Sequence, residues 1–294
     1  MSWLSGIGLA FGLLVVVAAG LSALGSMRWA RRTRGLARGL EPAHVPRATA
    51  TTAGARPTHY ALGELAHLPA PVQRYFRAAL WEGQPIISSA TIDLEGSINL
   101  STSARQWKGF RSRQHVVTNP PGFLWDARVS LLPGMPVRVH DAYIAGEGLL
   151  HAAALGLYTL ADLRGDGEVA RAEFMRYFAE SAWYPTSLLP GQGVHWQAVD
   201  ARSANATLAD GPITLTLLFR FNDAGLIGSF RAEARAATVG KTTVMLPWEG
   251  TWSDYRVHDG MSVPFHGEVC WIRPGGQWPY FRGTVSSLEY QYAR

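Results

Sequence analysis

Residues 213–221, Ile-Thr-Leu-Thr-Leu-Leu-Phe-Arg-Phe, decide the fold. Ile213, Leu215, Leu217, Phe219 and Phe221 fall on one side of an extended chain, and Thr214, Thr216 and Arg220 fall on the other. That is the period of a half-buried antiparallel strand. Turn formers follow, Asn222-Asp223-Ala224-Gly225, and beyond them Phe230, Ala232, Ala234 and Ala236 alternate with Ser229, Arg231, Glu233 and Arg235. The spacing predicts a hairpin. Upstream, Phe123, Trp125, Ala127, Val129 and Leu131 alternate in the same way with Asp126, Arg128 and Ser130, and similar runs lie near 90–100, 106–118, 137–147, 194–209, 248–257, 263–273 and 280–292. About ten strands in series predict one large antiparallel sheet.

Helical spacing interrupts this pattern. Residues 68–82 (LPAPVQRYFRAALWE) place Val72, Phe76 and Ala79 or Leu80 on one side, start at prolines and end at Gly83. Residues 169–184 set Ala170, Phe174, Tyr177, Phe178 and Ser181 or Ala182 on one face, with Arg171, Glu173, Arg176 and Glu180 around the others, and Pro185 stops the run. A shorter Ala/Leu helix is expected over 149–157. Helices inserted between strand blocks predict an α+β domain over 63–294, a curved sheet with helices on its concave face.

The N-terminus is of another kind. No charged side chain occurs in residues 1–27, and Leu4 to Leu24 is almost wholly apolar. About 20 such residues cover the roughly 30 Å core of a bilayer, so residues 1–27 are expected to form a transmembrane anchor. Trp3 and Trp29 would sit at its interfaces, with Arg28, Arg31, Arg32 and Arg34 beside the second. Residues 28–62, rich in Arg, Ala, Thr, Gly and Pro without apolar period, are expected to be a flexible basic linker. A cleaved leader fits less well, because Met-Ser-Trp supplies no basic start. The arginines follow the apolar run and none precedes it, which places the domain on the cytoplasmic side of a bacterial inner membrane.

Charge excludes a nucleic-acid partner. Residues 1–60 hold seven Arg against Glu41, whereas the other 234 residues hold 20 basic and 21 acidic side chains. The domain has no excess with which to attract a polyanion. A single cysteine, Cys270, excludes a disulfide framework.

The succession LPAPVQRYFRAAL at 68–80, FLWDARVSLLPGMPVRVHDAYIAGEG at 123–148, RYFAESAWYPTSLLPGQGVHW at 176–196, PWEGTWSDYR at 247–256 and GEVCW at 267–271 resembles a family of bacterial membrane-anchored proteins defined as a domain of unknown function. The resemblance covers about 68–294 and implies the same anchor-plus-domain plan, with no activity and no catalytic residues attached. The order of strands and helices is also similar to the half-barrel lipid carriers of the bacterial envelope, such as the lipoprotein carrier proteins. Those carriers are periplasmic, which opposes the side of the membrane inferred from the arginines.

Phosphate-binding glycine loops, H-E-x-x-H and G-x-S-x-G do not occur, and the nine histidines (44, 59, 67, 115, 140, 151, 195, 258 and 266) are dispersed. Asp162, Asp166, Gly167, Val169, Glu173 and Phe174 match positions of a calcium loop. Arg164 occupies a ligand position with a cation and Ala170 offers no donor at another, so no metal and no cofactor is expected. Two sets of candidates remain. An apolar ligand would be held by Trp125, Phe174, Phe178, Trp183, Trp196, Phe219, Phe221 and Trp271, from a chain with 11 Trp. Acid–base chemistry would use Asp126, Asp141 and Glu180 with Arg128. The residues therefore allow a membrane-tethered binding module, an enzyme built on those carboxylates, or a solidly packed scaffold, with membrane lipid as the partner of the anchor.

Overall fold

The computed structural model describes residues 3–41, 57–101, 103–132, 135–239 and 242–294. It contains three α-helices, α1 (Trp3–Gly39), α2 (Ala70–Ala79) and α3 (Glu168–Ala179), and thirteen strands. In the first block these are β1 (Ile87–Asn99), β2 (Trp107–Thr118), β3 (Pro121–Leu132), β4 (Met135–Ile144), β5 (Glu147–Ala154) and β6 (Tyr158–Gly165). In the second they are β7 (His195–Asp200), β8 (Ser203–Asp210), β9 (Ile213–Phe221), β10 (Ile227–Val239), β11 (Thr242–His258), β12 (Met261–Arg273) and β13 (Gly276–Tyr292).

All thirteen strands belong to one open antiparallel sheet, ordered β6-β5-β4-β3-β2-β1-β13-β12-β11-β10-β9-β8-β7. The chain meanders from the centre to one edge, crosses to the other edge, and meanders back until β13 pairs with β1. The crossing is α3, followed by short 3-10 turns over Glu180–Trp183, Pro185–Leu188 and Pro190–Gln192. Its position measures the curvature. This helix packs against both β3 and β10, which lie six strand spacings apart, roughly 29 Å along the sheet. A 12-residue helix is about 18 Å long, so the sheet must wrap around it. Gly148 permits the closest approach: a side chain there would begin 2.5 Å from the backbone nitrogen of Ala170.

The hairpin of residues 213–232 forms as its alternation predicts, with Phe221 opposite Ile227 and Phe219 opposite Phe230; beyond Ala232 the alternation breaks at a register shift, and Ala234 is exposed. Ile213, Leu215, Leu217, Phe219 and Phe221 of β9 are buried, as are Val72, Phe76 and Ala79 on α2. The strand number exceeds the expected ten because residues 158–165 form β6, which no expected run covers, and because two further stretches differ from expectation. Residues 149–157 are not a helix: the stretch forms β5 and the turn after it, held between β4 and β6, and this pairing overrides the helical preference of its alanines. Residues 194–209 are two strands, β7 and β8, joined by a tight turn at Ala201–Arg202.

Helix α1 differs from the anchor-and-linker expectation. It runs unbroken to Gly39, so the arginines from Arg28 to Arg38 are helical; residues 42–56 of the expected linker lie outside the described residues. Its second half lies on the convex face of the sheet, where Leu36, Ala37 and Leu40 cover Leu124, Ala142 and Leu149. Trp29 is 2% exposed there and is not an interfacial aromatic: its indole donates to Asp126 Oδ1 at 2.9 Å. Arg28, Arg31 and Arg34 are exposed, Arg32 stands 3.7 Å from Asp162, and the side chain of Trp3 lies outside the described residues. Among the described residues no helix is long and apolar enough to cross a membrane.

Candidate functional site

The concave face and α3 enclose a cavity of about 210 Å³. Aromatic rings make most of its wall: Trp125 of β3, Trp183, Phe230 of β10, Trp248 and Trp252 of β11, Trp271 of β12, and Tyr280 and Phe281 of β13. They brace one another. Trp183 meets Trp252 edge-on at 4.8 Å, Phe230 tilts against Trp248 at 4.8 Å, and Trp271 stacks on Tyr280 at 5.7 Å. Trp248 Nε1 donates to the hydroxyl of Tyr280 at 2.9 Å, which fixes both rings.

Five charged side chains share this cavity: Asp141, Glu173, Arg176, Glu180 and Arg235. Arg176 is the hub. Its guanidinium donates to Asp141 Oδ2 at 2.8 Å, Glu180 Oε1 at 2.8 Å and Gln114 Oε1 at 3.2 Å, and Gln114 Nε2 donates to Glu180 Oε2 at 2.7 Å. It also lies over the rings of Phe123 and Trp125, at 5.1 and 4.8 Å. Arg235 lies over Trp248 at 4.4 Å and Trp271 at 5.5 Å, donates to the carbonyl of Ala172, and stands 3.9 Å from Glu173.

Burial sets the proton affinities. It pushes Glu173 up to about 8, helped by the negative charge of Asp141 and opposed by Arg235. Burial also raises Asp141, against the attraction of Arg176. Burial alone would lower Arg176, but Glu180, Asp141 and Glu173 outweigh it and hold the guanidinium protonated. Four buried polar atoms of the lining make no hydrogen bond: Trp125 Nε1, Trp252 Nε1, Asp141 Oδ1 and Glu173 Oε2. Such atoms are costly in a dry interior.

Of the aromatic candidates, Trp125, Trp183 and Trp271 line the cavity. The other five are packed elsewhere in the core. Phe174 stacks on Tyr143, Phe178 meets Phe219, and Trp196 joins Phe219, Phe221 and Phe76 near α2. Of the charged candidates, Asp141 and Glu180 meet on Arg176. Asp126 and Arg128 are on the convex face, so the four form no single constellation. Burial disfavours ionisation of Asp126, yet the neighbouring His140, 3.8 Å away, and hydrogen bonds from Trp29 and Thr33 hold its carboxyl below the usual range. The calcium-loop positions are separated: Asp162 pairs with His151 on the convex side at 3.2 Å, and Glu173 faces the cavity. Among the described residues no group of three or more His, Cys, Asp or Glu stands as a metal site.

Phe230, Trp248, Trp252, Tyr280 and Phe281 among the rings, and Glu173, Arg176 and Arg235 among the charges, line the cavity but stand outside both candidate sets. Arg235 alternates with apolar neighbours as an outward residue should, but the pairing of β10 shifts between Ala232 and Arg235, and the extra residue turns Arg235 inward. Glu173, Arg176 and Glu180 are spaced i, i+3, i+7, a stripe of one helix face. That spacing was the available signal.

The fold and site thus define an open curved-sheet protein with an aromatic, charge-lined cavity under a crossing helix. The chain belongs to the Family of unknown function (DUF6920), whose model matches residues 66–290. No curated protein matches it in sequence. Among solved structures it is similar to a LolA superfamily protein from Nitrosomonas europaea, with a TM-score of 0.40, 9% identity, and coverage of 76% of this chain and 94% of that one. It is also similar to a putative outer membrane lipoprotein-sorting protein domain from Vibrio parahaemolyticus, with a TM-score of 0.37, 11% identity and coverage of 79% and 92%. A DUF1329 family protein from Desulfovibrio piger gives a TM-score of 0.36, 13% identity and coverage of 69% and 86%.

Proposed function

We propose that this protein is a membrane-tethered binding module that holds an apolar ligand in the cavity between α3 and the sheet. The observation that carries this reading is the lining: braced aromatic rings around about 210 Å³, with four buried polar atoms that have no partner in the chain. A packed scaffold has no use for either. The site is larger than a benzene-sized void and smaller than a drug-sized pocket, which suits one slender apolar chain.

The tether is the first half of α1. Ile7, Leu9, Leu13, Val15, Val16, Val17, Leu21 and Leu24 are exposed around it, and so continuous an apolar surface needs lipid or protein to cover it. The run Leu4 to Leu24 is long enough for a bilayer. Docking on the sheet begins at Gly25, against Leu155 and Gly156 of the β5–β6 turn. That turn and the exposed Tyr158 beside it therefore sit at the membrane surface. The arginines after the apolar run favour a domain on the cytoplasmic side.

Native mass spectrometry of the full chain extracted from membranes tests the binding reading. A stoichiometric lipid-sized adduct, lost in Val269→Trp where the new ring fills the cavity, is the expected result. A bare mass, together with no displaceable binding of an apolar fluorescent probe, would overturn it. A reporter enzyme fused at the C-terminus tests the side of the membrane.

A further inference from the structure

The charges of the cavity do not balance. Three acids, Asp141, Glu173 and Glu180, face two guanidinium groups, Arg176 and Arg235. Arg176 satisfies Asp141 Oδ2 and both it and Gln114 satisfy Glu180. Glu173 is left over: its side chain is 7% exposed, its nearest cation stands 3.9 Å away, and Oε2 has no partner. Asp141 keeps a second free oxygen, Oδ1. A carboxyl group placed so is either protonated or neutralised by something that enters the cavity.

The walls point the same way. The ring faces of Trp125, Trp248 and Trp271 already receive guanidinium groups, so this lining stabilises positive charge. An anionic ligand would meet an excess of carboxylates whose compensating arginines are engaged.

Resting on the binding reading above, we propose that the ligand is an apolar chain ending in a single amine cation, received by Glu173 and the free oxygen of Asp141. The unpartnered indole N–H groups of Trp125 and Trp252 serve an oxygen on the same ligand, not its charge. A zwitterionic headgroup fits less well than a free amine, because its phosphate adds a negative charge beside Asp141 and Glu180. Entry of the cation ionises Glu173, and the proton leaves to solvent.

The test compares octylamine, octanol, octanoate and lysophosphatidylethanolamine against the full chain in nanodiscs at pH 7, with empty nanodiscs as reference. Octylamine is expected to bind about tenfold or more tightly than octanol, by the worth of a charge-assisted hydrogen bond. Octanoate should bind weakest, and Glu173→Gln should erase the preference while octanol still binds. Calorimetry of octylamine in two buffers of different ionisation enthalpy should show proton release from the unaltered protein. Equal or better binding of octanol, retention of the preference in Glu173→Gln, or no proton release would overturn the amine assignment and leave the apolar site standing. Tighter binding of the phospholipid would assign the charge to a headgroup and overturn the free amine. Failure of all four probes would overturn both readings.

Discussion

The indole of Trp29 lies flat on the imidazole of His140, ring centroids 4.0 Å apart and planes within 17°. Thr33, one turn further along α1, donates to Asp126 Oδ2 at 3.1 Å and lies 2.8 Å from His140 Nε2. One aromatic stack and a small polar cluster thus fix the helix to the back of the sheet. Trp29→Ala should remove about 3 kcal/mol or more of docking energy, and Trp29→Phe, which loses only the bond to Asp126, less. Hydrogen exchange over residues 25–40 reads this out: amides of that segment should exchange faster in the alanine variant while β9 and β10 stay protected. Unchanged exchange would mean that the helix does not depend on this contact.

Arg176 and Arg113 give a contrasting pair. Arg176 binds two carboxylates in the interior, whereas Arg113 pairs with Asp93 at the surface, where 71% of its side chain is exposed. Arg176→Met leaves two buried acids uncompensated and should cost about 3–5 kcal/mol. Arg113→Ala should cost at most about 1 kcal/mol. Chemical denaturation measures both, and similar values would contradict the buried network.

The Glu173 carboxyl makes stability depend on pH with a defined sign. Its proton affinity is raised in the folded protein, from the ordinary 4.5 up to about 8. Between these values the folded state holds a proton that the unfolded chain has lost, so the contribution is complete below 4.5 and disappears as pH rises through 8. Asp141, Arg176, Glu180 and Arg235 surround the group, and the raised Asp141 acts with the same sign. The melting temperature of the unaltered protein should therefore fall relative to Glu173→Gln between pH 5 and 8. Parallel melting curves across that range would count against the buried acid.

Gly267 is open to a steric test. A side chain there would begin 2.5 Å from the ring of Trp252, which covers this glycine across β11 and β12. Gly267→Ala must push that ring into the cavity, at about 1–3 kcal/mol. Thermal denaturation measures the cost, and binding of an apolar probe should weaken in the same variant. An alanine protein of native stability and affinity would show that Trp252 has room to move.

Much of the fold is legible in residues taken locally. Alternation alone locates β3, β9 and β10, because one face of each meets the core and the strand period is two. The site is harder, because it depends on where that period breaks and on what covers each face. Arg235 reads as a surface residue until the bulge of β10 is known. Asp126 and Asp141 read alike as charges within strands, yet one faces α1 and the other α3. Trp29 has the position of an interfacial aromatic, and only the proximity of His140 and Asp126 in the folded chain gives it another role. Apolar content at 149–157 marked burial correctly and element type wrongly, since β4 and β6 supply hydrogen bonds that no local pattern announces.

The seam between β1 and β13 sets an order of events during synthesis. Ala90 lies opposite Tyr290, two hundred positions later in the chain, so the centre of the sheet is among its longest-range contacts and the slowest kind to form. The cavity straddles this seam, taking Trp125 and Asp141 from one side and Trp271 and Tyr280 from the other. A nascent chain that has delivered its helices and twelve of its strands still has an unclosed sheet with its aromatic rings in water. Release of the last seventeen residues of strand, Gly276–Tyr292, is what turns two meanders into a container, and a chain cut before them is an aggregation hazard in place of a weaker binder.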